Sequence, residues 1–293
     1  MDYKQIIKSK NIRKKVLNCL WFVPDKMMVS ILYRIKFGRK LNLQSPRYYS
    51  EKLQWIKLYD RKAIYTKMVD KYQMKSFLAE IIGEEYAVPT LGIWDSFDDI
   101  DFDLLPNQFV LKCTHDSGSV TICHNKKEMD YKKTKAKFDS ALKNNAYLLG
   151  REWPYKNADR KIIAEPFLED LASDEDALID YKFFCFNGEP KIMYISNDTG
   201  AEPHTDFFDM EFNHLPIRMK DPNSKKEVKK PQCFNEMIEI SKALSKGIRH
   251  LRVDFYYVNN KLYVGEMTFF HGSGFVPISP SEWDLKMGEW ISI

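Results

Sequence analysis

Several features that would assign the chain to a special class of protein are missing from its sequence. Its 293 residues include only 12 glycines and 13 prolines, which excludes collagen-like and low-complexity chains. No run of about 18 apolar residues occurs, so no membrane-spanning segment is predicted. The start, Met-Asp-Tyr-Lys-Gln, lacks the pattern of a cleaved signal peptide. We therefore expect a cytoplasmic protein.

Cysteine is scarce as well, and the five cysteines are scattered along the chain. None belongs to a Cys-x-x-Cys pair, which predicts free thiols in a reducing compartment rather than a disulfide framework. Cys113, His115, Cys123 and His124 are close in sequence, but their spacing matches no common structural zinc site. Zinc is therefore not among the predicted cofactors.

What the chain does have is the composition of a globular protein. Apolar residues make up 44% of it, charged residues 29% and aromatic residues 14%. A chain of this size and composition can bury the core of one large domain or of two modest ones.

Positive charge is concentrated in the N-terminal segment. Residues 1–40 carry eleven Lys or Arg against two Asp or Glu, a net charge of +9, although the whole chain carries only +4. Two interpretations remain open: peripheral contact with the inner face of a membrane, or the commoner case of a helix that packs its apolar face on the protein and leaves its lysines in solvent. No nucleic-acid recognition motif is present, so no nucleic-acid partner is predicted.

The spacing of apolar residues predicts an α+β protein, with a mostly helical, basic region (1–85) and antiparallel sheet in the second half of the chain. The predicted helices span 27–37, 50–59, 63–82, 128–149 and 235–246. The predicted strands span 88–94, 108–114, 120–124, 161–165, 180–186, 190–196, 250–258 and 262–269. Asn187-Gly188 and Asn259-Asn260 mark hairpin turns, and residues 200–232 are predicted to form an irregular excursion.

The most informative pair of residues is Asp254 and Glu266. If the hairpin loop spans 259–261, the two carboxylates face each other, about 5 Å apart at Cβ. Carboxylates this close repel unless they share a proton or a cation, and Mg²⁺ bound to phosphate oxygens is a suitable cation. Arg252 and Thr268 are expected on the same face. The alternative is an ordinary ion cluster on an exposed sheet.

A second group begins at Lys112, on a strand that leads into a small polar loop. The ammonium group suits a phosphate as a point charge, and the backbone amides of a Gly/Ser loop can close over phosphate oxygens. The loop residues in question are His115, Ser117, Gly118 and Ser119. Such loops also occur in ordinary hairpins, so the pattern alone does not decide the function.

Two further segments carry candidate groups. Residues 162–168 read as an apolar strand that ends at Glu165 and continues through Phe167 and Leu168, an extended stretch that can offer backbone groups to a purine edge; Pro166 has no N–H. Lys182 heads a strand face that it shares with aromatic residues. Each segment could equally be structural, as a buried strand capped by a surface Glu or as a lysine that extends to solvent.

Taken in order along the chain, these groups resemble the ATP-grasp superfamily, and in particular the TupA-like ATP-grasp proteins of bacterial surface-polysaccharide biosynthesis. The resemblance covers roughly residues 30–280. The short sequence segments that carry the resemblance are Ser50–Lys57, Val69–Tyr72, Phe109–Lys112, Glu152–Tyr155, Asp180–Phe183, Phe186–Gly188 and Gly265–Thr268. The resemblance implies an ATP-grasp fold, in which two α+β subdomains with antiparallel sheets clamp ATP. The first subdomain would span 86–160 and the second 161–293, preceded by the helical region 1–85.

The resemblance also implies a role for each candidate residue. Lys112 and Lys182 would contact the phosphates, the 115–119 loop would fold over them, and residues 165–168 would form the adenine hinge. Asp254 and Glu266 would hold Mg²⁺, with Thr268 where many relatives have Asn. Arg252 and Lys182 would act in catalysis, next to the transferred phosphoryl group.

The reaction that the resemblance implies joins a carboxylate to an amine through an acyl phosphate, with release of ADP. The expected substrates are a uronic acid of a capsule, O-antigen or cell-wall precursor, free or lipid-linked, and an amino acid. Two alternatives stay open: a glycosyltransferase, for which Asp99-Ile-Asp101 and Asp101-Phe-Asp103 match the Asp-x-Asp string, and a scaffold at the membrane without turnover.

Overall fold

Helices make up the N-terminal region of the computed structural model, which describes residues 9–169, 178–197, 203–224 and 228–293. They are α1 (Lys10–Cys19), α2 (Asp25–Phe37), α3 (Tyr49–Tyr59), α4 (Ile64–Val69) and α5 (Gln73–Ile81). The single helix predicted for 63–82 is therefore wrong. It is broken at Asp70, whose carboxylate accepts hydrogen bonds from the amides of Tyr72 and Gln73 and so caps the start of α5.

The first antiparallel sheet has the strand order β1-β4-β2-β3. Its strands are β1 (Gly92–Trp94), β2 (Phe109–Cys113), β3 (Val120–Cys123) and β4 (Ile162–Pro166). Helices α6 (Tyr131–Lys143) and α7 (Tyr147–Gly150) replace the single helix predicted for 128–149. Phe138 of α6 packs into the same buried cluster as Phe109 and Leu111. The predicted 160/161 boundary places β4 in the last region, whereas β4 pairs with β1 and β2.

The second antiparallel sheet has the order β10-β9-β5-β6-β7-β8. Its strands are β5 (Asp180–Phe186), β6 (Glu189–Asn197), β7 (His204–Asp209), β8 (His214–Leu215), β9 (His250–Val258) and β10 (Lys261–Thr268), and α8 (Phe234–Ser245) packs on it. The excursion predicted for 200–232 is wrong where β7 and β8 extend the sheet; 200–202 and 225–227 lie outside the described residues. The two antiparallel sheets confirm the predicted α+β class.

The last hairpin brings Asp254 opposite Glu266 by a route that the sequence did not predict. Val258 pairs with Lys261, so the loop has two residues rather than the predicted three. Asn259 and Asn260 both have positive φ, as tight hairpin turns require. A bulge at Gly265 then shifts the register by one residue and sets Glu266 opposite Asp254. The predicted opposition is therefore confirmed, and the predicted loop length is wrong.

The two ends of the described chain are joined by an ionic cluster. Helix α9 (Glu282–Glu289) packs against α3, and Asp284 accepts hydrogen bonds from the amide and the hydroxyl of Ser50, both at 2.8 Å. Arg39 completes the cluster with an ion pair of 2.8 Å to Asp284. The start of α3 is therefore fixed to the C-terminal helix α9.

The basic N-terminal segment packs on the body along one side only. Helix α2 buries Met28, Val29, Leu32 and Tyr33, and Arg151 donates to the carbonyl of Leu20 at 2.6 Å. The turn between α1 and α2 leaves Trp21 and Phe22 exposed, at 69% and 67%. Among the described residues, no helix combines the length and the apolar character that crossing a bilayer requires.

Candidate active site

The candidate groups of the second sheet lie in two adjacent rows across β5, β9 and β10. Lys182 is paired with Asp254, and Asp254 is paired with Glu266. The second row lies two residues further along each strand. In it, Phe184 is paired with Arg252, and Arg252 is paired with Thr268. Because side chains two residues apart share a sheet face, both rows project to the same side. The structure thus brings together all five predicted charged or hydroxyl groups of this sheet.

Asp254 is buried and bound by two cations. The guanidinium of Arg252 donates to both of its oxygens at 2.6 Å, and Nζ of Lys182 lies 3.3 Å from Oδ2. Burial alone would raise the pKa of Asp254, but the charges of Arg252 and Lys182 outweigh burial and lower that pKa. Lys182 also pairs with Asp180 at 2.8 Å. Asp254 therefore remains a carboxylate at neutral pH.

Glu266 is the more accessible of the two opposed carboxylates. Its side chain is 24% exposed, and its nearest cation, Arg252, lies 3.8 Å away. The hydroxyl of Ser117, in the loop between β2 and β3, donates to Oε1 of Glu266 at 3.3 Å. The polar loop of the first sheet therefore reaches the carboxylates of the second, and the two sheets face each other across this point.

The loop of residues 115–119 has an internal framework of hydrogen bonds. Asp116 accepts from the hydroxyl of Ser119 at 2.5 Å and from its amide at 3.3 Å, which closes the turn. Gly118 has a φ of +113°, with open space where a Cβ would lie. Ser117 and Gly118 are exposed, whereas the hydroxyl of Ser119 is already bound to Asp116.

His115 does not share the environment of the other loop residues. Its ring is buried, and Nε2 lies 3.2 Å from the carbonyl oxygen of Ala141 in α6. Burial lowers the pKa of His115, so the imidazole is neutral at pH 7. The side chain of His115 therefore points away from the phosphate position expected for the loop, and its contribution to nucleotide binding stays a prediction for its backbone alone.

Lys112 lies beside Glu165, with which it forms an ion pair of 2.7 Å. A second lysine, Lys75 of α5, binds the other oxygen of Glu165 at 2.6 Å and also donates to the carbonyl of Val88 and the hydroxyl of Thr90. Burial would raise the pKa of Glu165, but the two ammonium groups outweigh it and lower the pKa. Sequence reasoning identified Lys112 and Glu165 separately and missed Lys75.

Residues 165–168 lie where the chain leaves the first sheet. Pro166 ends β4, and Phe167 packs edge-on against His124 with ring centroids 4.8 Å apart. Asn259, in the turn of the last hairpin, donates to the carbonyl of Glu169 at 2.9 Å. Leu168 is half-buried. This connecting stretch therefore contacts both sheets beside Lys112 and Glu165, and its role as an adenine hinge stays a prediction.

A further layer of residues supports Arg252. One of its terminal nitrogens lies 2.7 Å from Nδ1 of His271, and another donates to the hydroxyl of Thr268 at 3.2 Å. Burial, followed by the charge of Arg252, lowers the pKa of His271 well below its usual value, so a neutral imidazole accepts from the guanidinium. Arg252 is thus held in one orientation by Asp254, Thr268 and His271.

The residues of this site fit a Mg²⁺ ion that is bound together with a nucleotide, and they do not fit a Mg²⁺ ion held by protein side chains alone. In the part of the chain that the structure describes, no group of three or more His, Cys, Asp or Glu side chains could hold a metal by itself. Mg²⁺ often takes only one or two carboxylates and completes its shell with phosphate oxygens and water. Asp254 and Glu266 would be the two carboxylates, and Lys112, Lys182 and Arg252 would place positive charge beside the phosphates.

Comparisons with known proteins relate the chain to a protein family and to several solved structures. A family model described as TupA-like ATPgrasp matches residues 51–292. No protein in the curated set matches. Among solved structures, D-alanine–D-alanine ligase from Bacillus anthracis in complex with ATP matches with 15% identity and a TM-score of 0.41, over 75% of this chain and 57% of that one. The D-alanine–D-alanine ligase from Helicobacter pylori matches with 13% identity and a TM-score of 0.43, over 83% and 69%. The chain thus spans little more than half the length of the first of these proteins.

Proposed function

The chain belongs to the TupA-like ATP-grasp family, and on this premise we propose that it is an ATP-dependent carboxylate–amine ligase. The observation that carries the proposal is the convergence of Lys182, Asp254 and Glu266 in one row with the Ser117 loop above them. A site with two carboxylates for a metal and three cations for phosphates suits phosphoryl transfer. ATP and Mg²⁺ are the proposed cofactors.

The proposed reaction has two steps. A carboxylate oxygen of the substrate attacks the γ-phosphorus of ATP, the bond from that phosphorus to the bridging oxygen breaks, and ADP leaves. An amine then attacks the acyl carbon, phosphate leaves, and the proton of the amine is released to solvent. In-line transfer of this kind needs no nucleophilic side chain from the protein.

Each residue then has a role that its contacts support. Arg252 is held rigidly by Asp254 and His271, so its charge is fixed before the transferred phosphoryl group becomes more negative. Lys182 and Lys112 would bind phosphate oxygens, and Ser117 and Gly118 would cover them. Asp254 and Glu266 would hold Mg²⁺, which would neutralise charge on the phosphates when bound.

We propose a uronic acid of a surface-polysaccharide precursor as the acid and an amino acid as the amine. This choice of substrates rests on the family and on the need for one carboxylate and one nucleophilic nitrogen. The test is a screen for ADP release with purified protein, Mg-ATP, a set of uronic acids and a set of amino acids. ADP formation that requires both a uronic acid and an amino acid supports the proposal. If no combination of uronic acid and amino acid leads to ADP release, the proposal is contradicted.

Thermal shift separates this proposal from its alternatives. Stabilisation by Mg-ATP and not by UDP-sugars supports the ligase. Stabilisation by UDP-sugars alone would favour a glycosyltransferase, and the absence of stabilisation by either ligand would favour a scaffold. The Asp-x-Asp strings already have structural uses. Asp99 accepts from the amide of Ser96 and Asp101 from that of Asp103, at the start of short helical turns.

We also propose that the N-terminal segment touches the inner face of a membrane. Trp21 and Phe22 are exposed side by side at the turn between α1 and α2, and Met27 and Ile31 are exposed on α2, within a segment of net charge +9. Aromatic side chains next to lysines suit an anionic bilayer surface.

Sedimentation with lipid vesicles tests the proposed membrane contact. Binding to phosphatidylglycerol but not phosphatidylcholine vesicles, lost in Trp21→Ser/Phe22→Ser and kept in Leu104→Ser, is expected; equal sedimentation of all three proteins would contradict it.

A further inference from the structure

The chain makes an unusual turn shortly after β10. Gly272, Ser273 and Gly274 all have positive φ, at +52°, +57° and +66°, and we call them the 272–274 turn. Glycine adopts this left-handed region freely, but a residue with a Cβ, such as Ser273, does so at a cost in free energy. Such a conformation persists only where the surrounding groups hold it in place. The contacts of this turn therefore indicate what keeps it in its shape.

Two buried polar side chains of α3 hold the 272–274 turn. Lys57 donates through Nζ to the carbonyl oxygen of Ser273 at 2.8 Å. Gln54 donates through Nε2 to the carbonyl oxygen of Gly274 at 2.8 Å and to that of Ser273 at 3.3 Å. Lys57 also donates to Oε1 of Gln54 at 2.7 Å. Both Gln54 and Lys57 are 0% exposed, so water competes little with these contacts.

Glu152 makes a third contact with the turn. Its carboxylate accepts a hydrogen bond from the hydroxyl of Ser273. Burial lowers the pKa of Lys57 to about 7, although the carboxylates of Glu152 and Asp25 favour its charged form. An apolar side chain could fill the space of Lys57 without the cost of burying an ammonium group. Packing alone therefore does not account for a lysine at this position, whereas its contact with the turn does.

The 272–274 turn is joined directly to His271, which contacts the candidate active site. His271 is the first residue of the helical turn His271–Gly274, and its Nδ1 lies 2.7 Å from a terminal nitrogen of Arg252. The imidazole packs edge-on against the rings of Phe184 and Tyr194, with centroids 5.4 and 5.8 Å apart. The sheet thus supports the ring of His271, while the turn fixes its main chain. A change in the turn would move the acceptor of Arg252.

Arg252 depends on His271 for its one contact outside the last hairpin. Within the described part of the chain, its other polar partners are Asp254 on β9 and Thr268 and Glu266 on β10. Asp254 binds Nε and one terminal nitrogen of the guanidinium, and His271 binds the other terminal nitrogen. Any residue that holds His271 in place therefore acts on Arg252 without touching it.

From these contacts we propose that Gln54 and Lys57 are positioning residues for Arg252. They hold the 272–274 turn in its left-handed conformation, the turn places His271, and His271 fixes the guanidinium. The inference rests on the proposed ligase function, in which Arg252 stabilises the transferred phosphoryl group, and it gives helix α3 a part in that function. A guanidinium that is fixed beforehand need not reorient as negative charge develops, which is what electrostatic stabilisation of a transition state requires.

The first test needs no substrate. It is heteronuclear NMR of the histidine rings in the full chain, with His271→Asn to assign the signals of His271. Lys57→Met and Gln54→Met each keep most of the side-chain volume and remove the donors to the turn, so both variants are expected to fold. In both, the Nδ1 signal of His271 should move away from its wild-type position, because the contact with Arg252 loosens. A wild-type signal in either folded variant would overturn the proposal.

Lys52 of the same helix provides the matched control. Like Lys57, it donates to a backbone carbonyl of the C-terminal part of the chain, that of Ile291, at 2.7 Å. Lys52→Met therefore removes an equivalent contact that does not involve the 272–274 turn. Its effect should be confined to Tm, with the His271 signal unchanged. Equal changes of that signal in Lys52→Met and Lys57→Met would show a general loosening of α3 and overturn the proposal.

A second measurement separates this inference from the ligase proposal. Calorimetric titration with Mg-ADP and with the magnesium complex of a non-hydrolysable ATP analogue gives the preference for the third phosphate. In Lys57→Met this preference should fall about fivefold, as the weakening of one charge-assisted contact would give, with the affinity for Mg-ADP unchanged. A preserved preference would overturn the proposal. Failure of the wild-type protein to bind either nucleotide would instead contradict the ligase proposal, and the NMR test would still decide whether α3 positions Arg252.

Discussion

Ser117, in a loop of the first sheet, donates a hydrogen bond of 3.3 Å to Glu266 on the second sheet. The two residues are 149 positions apart in sequence, and the contact joins the proposed phosphate loop to a proposed metal ligand. A ligand bound to Glu266 would therefore lie beneath this loop. The loop would therefore close over the phosphates at the same place where Glu266 would bind the metal.

Glu266→Gln tests the metal assignment with little effect on the fold. Glu266 is partly exposed, and its polar contacts within the described residues are the Ser117 hydrogen bond and a 3.8 Å contact with Arg252, so Tm should change little. Loss of one metal carboxylate should lower Mg-dependent ADP release by about 100-fold, equivalent to a few kcal/mol of transition-state stabilisation. Titration with MgCl₂ at fixed ATP measures it. Glu211→Gln, an exposed carboxylate elsewhere, is the control, and unchanged turnover in Glu266→Gln would remove the metal role.

Lys112→Ala and Lys75→Ala separate binding of nucleotide from support of the fold. Both lysines pair with Glu165, but Lys75 also donates to Val88 and Thr90. We expect Lys112→Ala to weaken Mg-ATP binding by at least about tenfold, through the loss of a charge-assisted contact. Lys75→Ala should instead produce the larger fall in Tm. Calorimetric titration with a non-hydrolysable ATP analogue and thermal unfolding check both, and wild-type nucleotide affinity in Lys112→Ala would contradict its assignment.

Glu165→Gln should have an effect on stability that depends on pH. The pKa of Glu165 in the folded protein lies below its unfolded value of 4.5. The carboxylate therefore contributes stability that is fully present above pH 4.5 and is lost as pH falls through the folded pKa. Removing the charge between two buried lysines should cost about 3 kcal/mol at pH 7, and this deficit relative to wild type should shrink as pH is lowered below 4.5.

Urea unfolding from pH 7 down to the lowest pH at which both proteins fold measures this deficit. The control is Glu239→Gln, whose ion pair with Lys242 lies on the surface, so its removal should have little effect on stability at any pH. A deficit that stays constant with pH would show that Glu165 is not stabilised as a carboxylate.

Gly265→Ala tests the bulge that aligns the two carboxylates. A Cβ at this position would lie 2.3 Å from the ring of Tyr256, so either the ring or the bulge must move. We expect a loss of about 1–3 kcal/mol of stability and a fall in ADP release, because Glu266 is the next residue. A double-mutant cycle with Tyr256→Ala measures the clash directly. The double variant should lose less than the sum of the single variants; strict additivity would contradict the clash.

Local signals in the sequence predicted much of the fold and of the site. Asn187-Gly188 forms the expected turn of positive φ, and the strands 180–186 and 250–258 were predicted with the bounds that they have. Period-two alternation along these strands placed Arg252 and Asp254 on one face. The family resemblance, drawn from ordered phrases over the chain, is confirmed by the family match.

What the sequence did not predict depends on contacts between distant residues. Lys75 reads as a solvated helix lysine, because its partner Glu165 is 90 positions away. The last hairpin has a two-residue turn, and the bulge at Gly265 restores the register that a three-residue turn would have given. No local sequence pattern distinguishes a two-residue turn with a bulge from a three-residue turn without one. The strands β7 and β8 lie in a polar segment whose alternation is weak; β7 pairs with β6, and β8 pairs in turn with β7.

The contact between Ser50 and Asp284 has a consequence for how the chain folds. One of the first amides of α3, which has no partner within its own helix, is satisfied by a carboxylate 234 positions later in the chain. During synthesis the amide of Ser50 therefore has no protein partner until nearly the whole polypeptide is made, whereas Glu51 caps the start of α3 locally through the amide of Tyr48. Closing so long a loop is entropically slow, so the attachment of α9 is expected among the late events of folding, and in a ribosome-bound chain that lacks α9 the amide of Ser50 would be left to water.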